Sequence, residues 1–172
     1  DMENVCRARI LSEDYLDLIV QYGSGRRQPN DCVISIMDRF EIYYWPRDWR
    51  ELSINNYSYF AIPKLFGLLD TSNMEASGII ALQNQPILNL SGENVLIGFI
   101  DTGIDYKNPV FLGKDGKTRI VAIWAQEDQS GNAPEDFFYG SEYLEEAINE
   151  AILSEKAYEI VPSKDENGHG TF

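Results

Sequence analysis

The sequence predicts an α/β protein arranged in two blocks, and three observations carry that expectation. Roughly the first 65 residues are β-rich and punctuated by Gly/Pro-bearing turns. Past residue 70, two uncharged apolar runs, 95–100 (VLIGFI) and 120–126 (IVAIWAQ), read as strands buried on both faces, as in a parallel sheet covered by helices. Amphipathic stretches with helical spacing alternate with these runs. The expected domains are 1–70 and 71–172.

The elements follow in order. Residues 3–14 read as a short helix or arm, and 16–22 (LDLIVQY) as a strand. Residues 23–31 (GSGRRQPND) are a polar loop. Residues 32–37 and 40–45 then alternate Val, Ile, Phe and Tyr around Asp38-Arg39, and read as two strands, the second stopped by Pro46. Residues 57–62 (YSYFAI) are a fourth strand candidate, closed by Pro63. In the second block, Ile79, Ile80 and Leu82 put a short helix over 74–84. Residues 141–155 form the best helix of the chain. Ser141 is placed to cap it, Glu142, Glu145 and Glu146 favour its positive end, and Leu144, Ala147, Ile148, Ala151 and Ile152 form its apolar stripe.

Composition narrows the function classes. The 172 residues carry a formal net charge of −14, with 44% hydrophobic and 12% aromatic residues. That is enough apolar material for a core and too much for disorder. The acid excess excludes the basic footprint that nucleic acid and anionic membranes need, so neither is an expected partner. No stretch has the length of a membrane span. The opening Asp1-Met2-Glu3-Asn4 is acidic and polar, unlike a signal peptide. Cys6 and Cys32 make no framework; two reduced structural thiols are the expected state, with a single bridge as the alternative. One histidine with scattered carboxylates is a poor metal-ligand set.

Two short motifs carry chemistry. Asp101-Thr102-Gly103-Ile104-Asp105 follows directly on VLIGFI, at a strand end where open α/β sheets keep their functional groups. Thr102 and Gly103 let the backbone turn sharply. A carboxylate there can accept the Nδ1–H of an imidazole and stabilise the imidazolium. The second motif, Gly168-His169-Gly170-Thr171, holds the only histidine of the chain between two glycines. Asp165, Glu166 and Asn167 give it a polar, loop-like approach. Taken singly, Asp101 also fits a turn former or helix cap, and His169 an ordinary surface or core histidine.

Together, NVLIGFIDTGIDYKNPVF (94–111), its lead-in Ser91-Gly92-Glu93-Asn94-Val95, and DENGHGTF (165–172) resemble the subtilisin-like serine proteases. The wording DYKNPVF…DGKTRI…IW is similar to the clostridial branch that includes the spore-germination proteases. The resemblance covers about residues 70–172. It implies a subtilisin-like parallel sheet with helices, incomplete in this chain. It also implies peptide-bond hydrolysis, with Asp101 orienting the histidine and His169 acting as general base. The substrate would be a protein or peptide, and no cofactor is required. The resemblance leaves a structural calcium possible, but the usual loop ligand position is Val110, where calcium-binding members carry Asp after the loop proline.

The same resemblance places the serine nucleophile and the oxyanion asparagine outside these 172 residues. The partial sheet is expected to have an open edge, so residues 70–172 would need the remainder of the catalytic domain, supplied by a second polypeptide or by downstream sequence. Residues 1–70 match a propeptide in size and place, a small β-rich α/β unit bound in cis that templates folding and blocks the site. Its tail, 61–70 (AIPKLFGLLD), would lie in the cleft as an added strand, with self-cleavage near residues 68–74. The resemblance implies work outside the cytoplasm. Two alternatives stay open: a catalytically inactive subtilisin-like pseudoprotease acting in binding or signalling, and an aspartic protease using Asp-Thr-Gly.

Overall fold

The computed structural model describes residues 2–24, 27–47, 53–55, 57–62, 72–87 and 92–171. Two compact units emerge, Asp1–Lys64 with Ala122–Leu144, and Leu65–Val121 with Glu145–Phe172.

The first unit is built on a three-stranded antiparallel sheet of order β1-β3-β2. Its strands are β1 (Tyr15–Gln21), β2 (Val33–Ile36) and β3 (Phe40–Pro46), close to the expected bounds. Leu18 lies opposite Tyr43, and Ile34 opposite Ile42. The β2–β3 hairpin turns through Met37 and Asp38, both in the left-handed region at φ 49° and 54°, matching the strand twist as primed turns do. Helix α1 (Met2–Ile10) packs against β1 and β3.

Alternation of the pleat sends β3 side chains to two different environments. On one face Tyr44 packs with Cys6, Cys32, Ile10, Tyr15, Ile34, Ile42 and Phe138. On the other, Tyr43 is fully buried beside Glu41, which is 1% exposed. Glu41 is satisfied by Arg27 and by the Tyr43 hydroxyl, so a charge sits inside the unit without an orphaned lone pair.

Cys6 and Cys32 form a disulfide joining α1 to the residue before β2. This corrects the expectation of reduced thiols. Both residues lie in one apolar cluster, and their Cα atoms are 5.1 Å apart, a separation that sequence spacing alone does not reveal.

Residues 122–144, expected with the second block, group with the first unit. Phe138 belongs to the Cys6–Cys32 cluster, and the Arg7 guanidinium donates to Gln129 Oε1. Strand β4 (Ala122–Ala125) falls within the expected run, but it pairs antiparallel with β5 (Ser141–Leu144). Thus 141–144 is a strand where a helix start was expected. Ser141 does not cap a helix: its Oγ donates to the Asp128 carbonyl and accepts from the Gly131 amide. The turn so formed is centred on Asp128, which also accepts from Tyr143 and Ser130. Burial opposes the Asp128 charge, but the hydroxyls of Tyr143, Ser141 and Ser130 outweigh it and hold the carboxyl at about 2.

The second unit contains α2 (Ser72–Ala76), α3 (Ile79–Gln83), α4 (Glu145–Leu153) and α5 (Ala157–Ile160). The single helix expected over 74–84 is split, because Gly78 adopts φ 76° between α2 and α3. The core here is Tyr106, Ile148, Ala151, Ala157 and Val161, all buried. Of the five residues of the expected α4 stripe, Ile148 and Ala151 are buried within the helix, while Leu144 precedes it.

Two expected strands are absent from the described ladders. Residues 95–100 join no ladder among the described residues, and Val95 is 65%, Phe99 80% and Ile100 97% exposed, rather than buried on both faces. Among the described residues every ladder is antiparallel. A parallel pair needs a crossover between neighbouring strands, and β4 instead pairs with β5, the next strand in the chain. Residues 57–62 form turns, with the Tyr59 and Phe60 rings edge to face. The mixture of small sheets and helices is as expected for an α/β chain. The tail segment 63–70, residues 68–71 of the expected cleavage region, Ser91 and Phe172 lie outside the described residues.

The disulfide closes a 26-residue separation inside the first unit. Replacing both cysteines with alanine is expected to cost about 3 kcal/mol through the lost loop constraint. A lower urea midpoint with a steeper slope, as the unfolded chain expands without its cross-link, would show it.

Candidate functional site

The second unit brings two sequence-distant loops together, one carrying Asp101 and the other His169. Tyr106 supplies the anchor. It is 0% exposed, and its hydroxyl donates to the Val161 carbonyl at 3.1 Å. This fixes the chain just after the Asp101 loop against the chain just before the His169 loop. Tyr158 stacks edge to face on Tyr106 and carries the Lys164 ammonium over its ring. The Asn149 side chain of α4 accepts from the Thr118 amide, tying that helix to the same body.

Between these anchors the backbones approach without a side chain to separate them. Gly103 has φ 129°, and a Cβ there would lie 2.3 Å from the Lys164 carbonyl oxygen. A Cβ on Gly170 would lie 2.1 Å from the Gly103 carbonyl oxygen and 3.2 Å from Asp101 Cβ. Only glycine permits either contact. The glycines that the motifs place around the two functional side chains therefore set how close those side chains come.

That approach puts His169 Nδ1 2.6 Å from Asp101 Oδ1. The same oxygen accepts the Thr102 amide at 2.8 Å. An ionised carboxylate can only accept, so the imidazole carries its proton on Nδ1, which leaves Nε2 free to take and return a proton. The two side chains are 33% and 28% exposed, open enough for a reacting group to reach them. The Thr102 amide holds the Asp101 carboxyl below its ordinary 3.8. Loss of hydration pushes the other way, and the His169 ring adds to the lowering.

Both sequence-predicted site residues thus meet. Three further residues complete the constellation, and the sequence reading gave none of them this part. Asp165 Oδ1 accepts from the Thr102 hydroxyl at 2.9 Å and from the Gly168 amide at 3.0 Å, while its Oδ2 accepts the Thr171 amide at 2.7 Å. Thr102 Oγ1 in turn accepts the Gly170 amide at 3.3 Å. The Thr171 hydroxyl accepts the Asp105 amide at 2.8 Å. The available signal was local: an Asp placed three residues before Gly168 is a side chain suited to collect the amides of the following turn. The hydroxyls and amides of Thr171, Thr102 and Gly168 keep the Asp165 carboxyl below its ordinary value against loss of hydration.

Among the described residues no three His, Cys, Asp or Glu side chains converge on a metal position. Pro109–Phe111 is a short 3-10 turn in which Asn108 Oδ1 accepts the Val110 amide.

No family model matches the chain. It is similar to the CspB protease of Clostridium perfringens, with 39% identity, covering 59% of this chain and 19% of that one, at a TM-score of 0.48. It is also 30% identical over 118 residues to one of the subunits of an ATP-dependent helicase/nuclease from Ruminiclostridium cellulolyticum, covering 61% of this chain and 9% of that protein. The chain therefore spans under a fifth of the length of either. The segment GKDGKT (113–118) has the closing Gly-Lys-Thr of a phosphate-binding loop, but only two residues between its glycines instead of four. Its backbone is a tight turn, closed by the Gly113 amide on the Lys117 carbonyl at 2.7 Å.

Asp101 and Asp165 both favour the assembled site in their charged forms. A lowered pKa in the folded state contributes stability that is complete above the ordinary aspartate range and is lost as pH falls through the lowered value. The two loops are therefore expected to stay joined from neutral pH to about pH 4. They should part as pH falls further, read as concerted shifts of the Thr102 and Thr171 amide resonances. A titration without movement of these two amides below pH 4 would contradict the geometry.

Proposed function

We propose that this chain supplies the aspartate and histidine of a subtilisin-type serine endopeptidase, with the serine provided from outside these 172 residues. The observation that carries the reading is the 2.6 Å contact between His169 Nδ1 and Asp101 Oδ1. A carboxylate bonded to Nδ1 fixes the tautomer in which Nε2 is the base, and it balances the positive charge that the ring acquires when it takes a serine proton. Nε2 then returns that proton to the leaving amine, and water deacylates the enzyme by the same relay.

Asp101 engaged by an imidazole speaks against the aspartic-protease alternative, which pairs two carboxylates around one shared proton. The acidic balance and the −14 net charge favour a protein or peptide substrate over a nucleic acid. The Cys6–Cys32 bond supports work in an oxidising, extracytoplasmic setting. Residues 1–70 as a propeptide, and the rest of the catalytic domain as the partner of 71–172, belong to the same proposal.

In the protein carrying the serine, a fluorophosphonate probe is expected to label that serine. His169→Ala should lower kcat for peptide hydrolysis by roughly 10⁴–10⁶-fold, and Asp101→Asn by about 10⁴-fold. Unchanged hydrolysis by the His169 variant would overturn the assignment. An unlabelled protein with the Asp101–His169 contact intact would turn the reading to the pseudoprotease, a binding module that retains the dyad.

A further inference from the structure

We infer that Asp165 is a positioning residue for the dyad, acting through Thr102 as a clamp between the two loops. The inference rests on the proposed role of Asp101 and His169 and adds to it a residue outside the reacting pair. One carboxylate takes three hydrogen bonds. Two come from its own loop, the Gly168 and Thr171 amides on either side of His169, and one crosses to the other loop, the Thr102 hydroxyl. The Thr102 hydroxyl uses both of its capacities. It donates to Asp165 and accepts from the Gly170 amide, so Asp165, Thr102 and Gly170 form a continuous chain across the gap.

The geometry of that chain is what gives it a role beyond shaping a turn. Thr102 directly follows Asp101, and its amide is bonded to the same Asp101 oxygen that meets the imidazole. Gly168 and Gly170 flank His169. A displacement of Thr102 relative to Asp165 therefore moves the carboxylate and the imidazole apart directly. Asp165 touches neither of the two reacting side chains through any of these bonds. A charged acceptor is used, and charge-assisted bonds of this kind are roughly twice as strong as neutral ones. Thr171 closes the far side by accepting the Asp105 amide, so the Asp101 loop is gripped at 102 and again at 105.

A turn-forming aspartate and a clamp make different demands on Thr102, and the Nδ1 proton of His169 probes the contact between the two loops directly. The test is proton NMR of the protein that carries the whole catalytic domain, following the far-downfield Nδ1 proton of His169, assigned by its loss in His169→Ala, and its exchange with water. Thr102→Val keeps the size of the side chain and its shape while removing the hydroxyl; Thr102→Ser keeps the hydroxyl; Asp165→Asn replaces one acceptor oxygen with a donor. Valine and asparagine are expected to broaden the resonance or speed its exchange about tenfold or more, and serine to restore it to within about twofold of the parent. Native dispersion of the Tyr106 and Tyr158 ring signals reports that the unit is folded in each variant. Loss of the signal in Asp165→Asn but not in Thr102→Val would make Asp165 a turn former and overturn the clamp. So would an unchanged signal in both. A parent protein with native Tyr106 and Tyr158 signals but no such proton would instead overturn the dyad itself, and the clamp with it.

Discussion

The second unit depends on the place where two stretches of backbone touch with no side chain between them. At Gly103 and Gly170 the carbonyl of one loop occupies the volume that a Cβ of the other would need. Hydrogen bonding weakens steeply once donor and acceptor leave their narrow range of distance and angle. A dyad assembled from residues 68 positions apart therefore requires loop placement accurate to a fraction of an ångström. Glycine contacts supply the distance, and the buried Tyr106 hydroxyl on Val161 supplies the lateral anchor. The polar network around Asp165 adds orientation. Sterics, burial and hydrogen bonding each fix a different degree of freedom of the same pair.

The first unit solves a different problem by different means. Its sheet has three strands and one covering helix, too little to enclose a large core. It compensates with a cross-link inside the apolar cluster and with a charge buried against Arg27 and Tyr43. The segment 122–144 extends that cluster through Phe138, packs Trp124, Phe137 and Tyr139 against one another, and gathers its turn around one carboxylate, Asp128. In both units, then, a single aspartate gathers the amides and hydroxyls of an irregular segment, and in both its charge is stabilised by those donors.

How much of this the sequence revealed follows from the range of the interactions concerned. Strands β1 to β3 were legible because alternation and turn residues act within a few positions. Asp101 and His169 were legible because their neighbours, Thr-Gly and Gly-Thr, are the residues that a close loop contact demands. For Asp165 only the turn was legible, from its spacing to Gly168; its link to the other loop is invisible until Thr102 is brought beside it. Ser141 followed by glutamates has the signature of a helix start, yet its hydroxyl is used by Asp128 and Gly131, and the helix begins at Glu145. The Cys6–Cys32 bond was hidden for a similar reason: pairing depends on Cα separation in space. The apolar run 95–100 showed that it wants burial, but composition cannot say which backbone will lie beside it.

That run has a consequence for the electrostatics next to it. Residues 95–100 lead directly into Asp101, and with their apolar side chains exposed, water reaches the end of the run where the carboxylate stands and screens its attraction to the imidazole. Any surface that covers the run expels this water and lowers the local dielectric at the end where the carboxylate stands. The attraction across the same 2.6 Å contact then strengthens while the carboxylate alone loses hydration, without a single bond length changing. The strength of the Asp101–His169 contact is in this sense a property of its dryness, set by whatever lies beside the apolar run as well as by the two residues themselves.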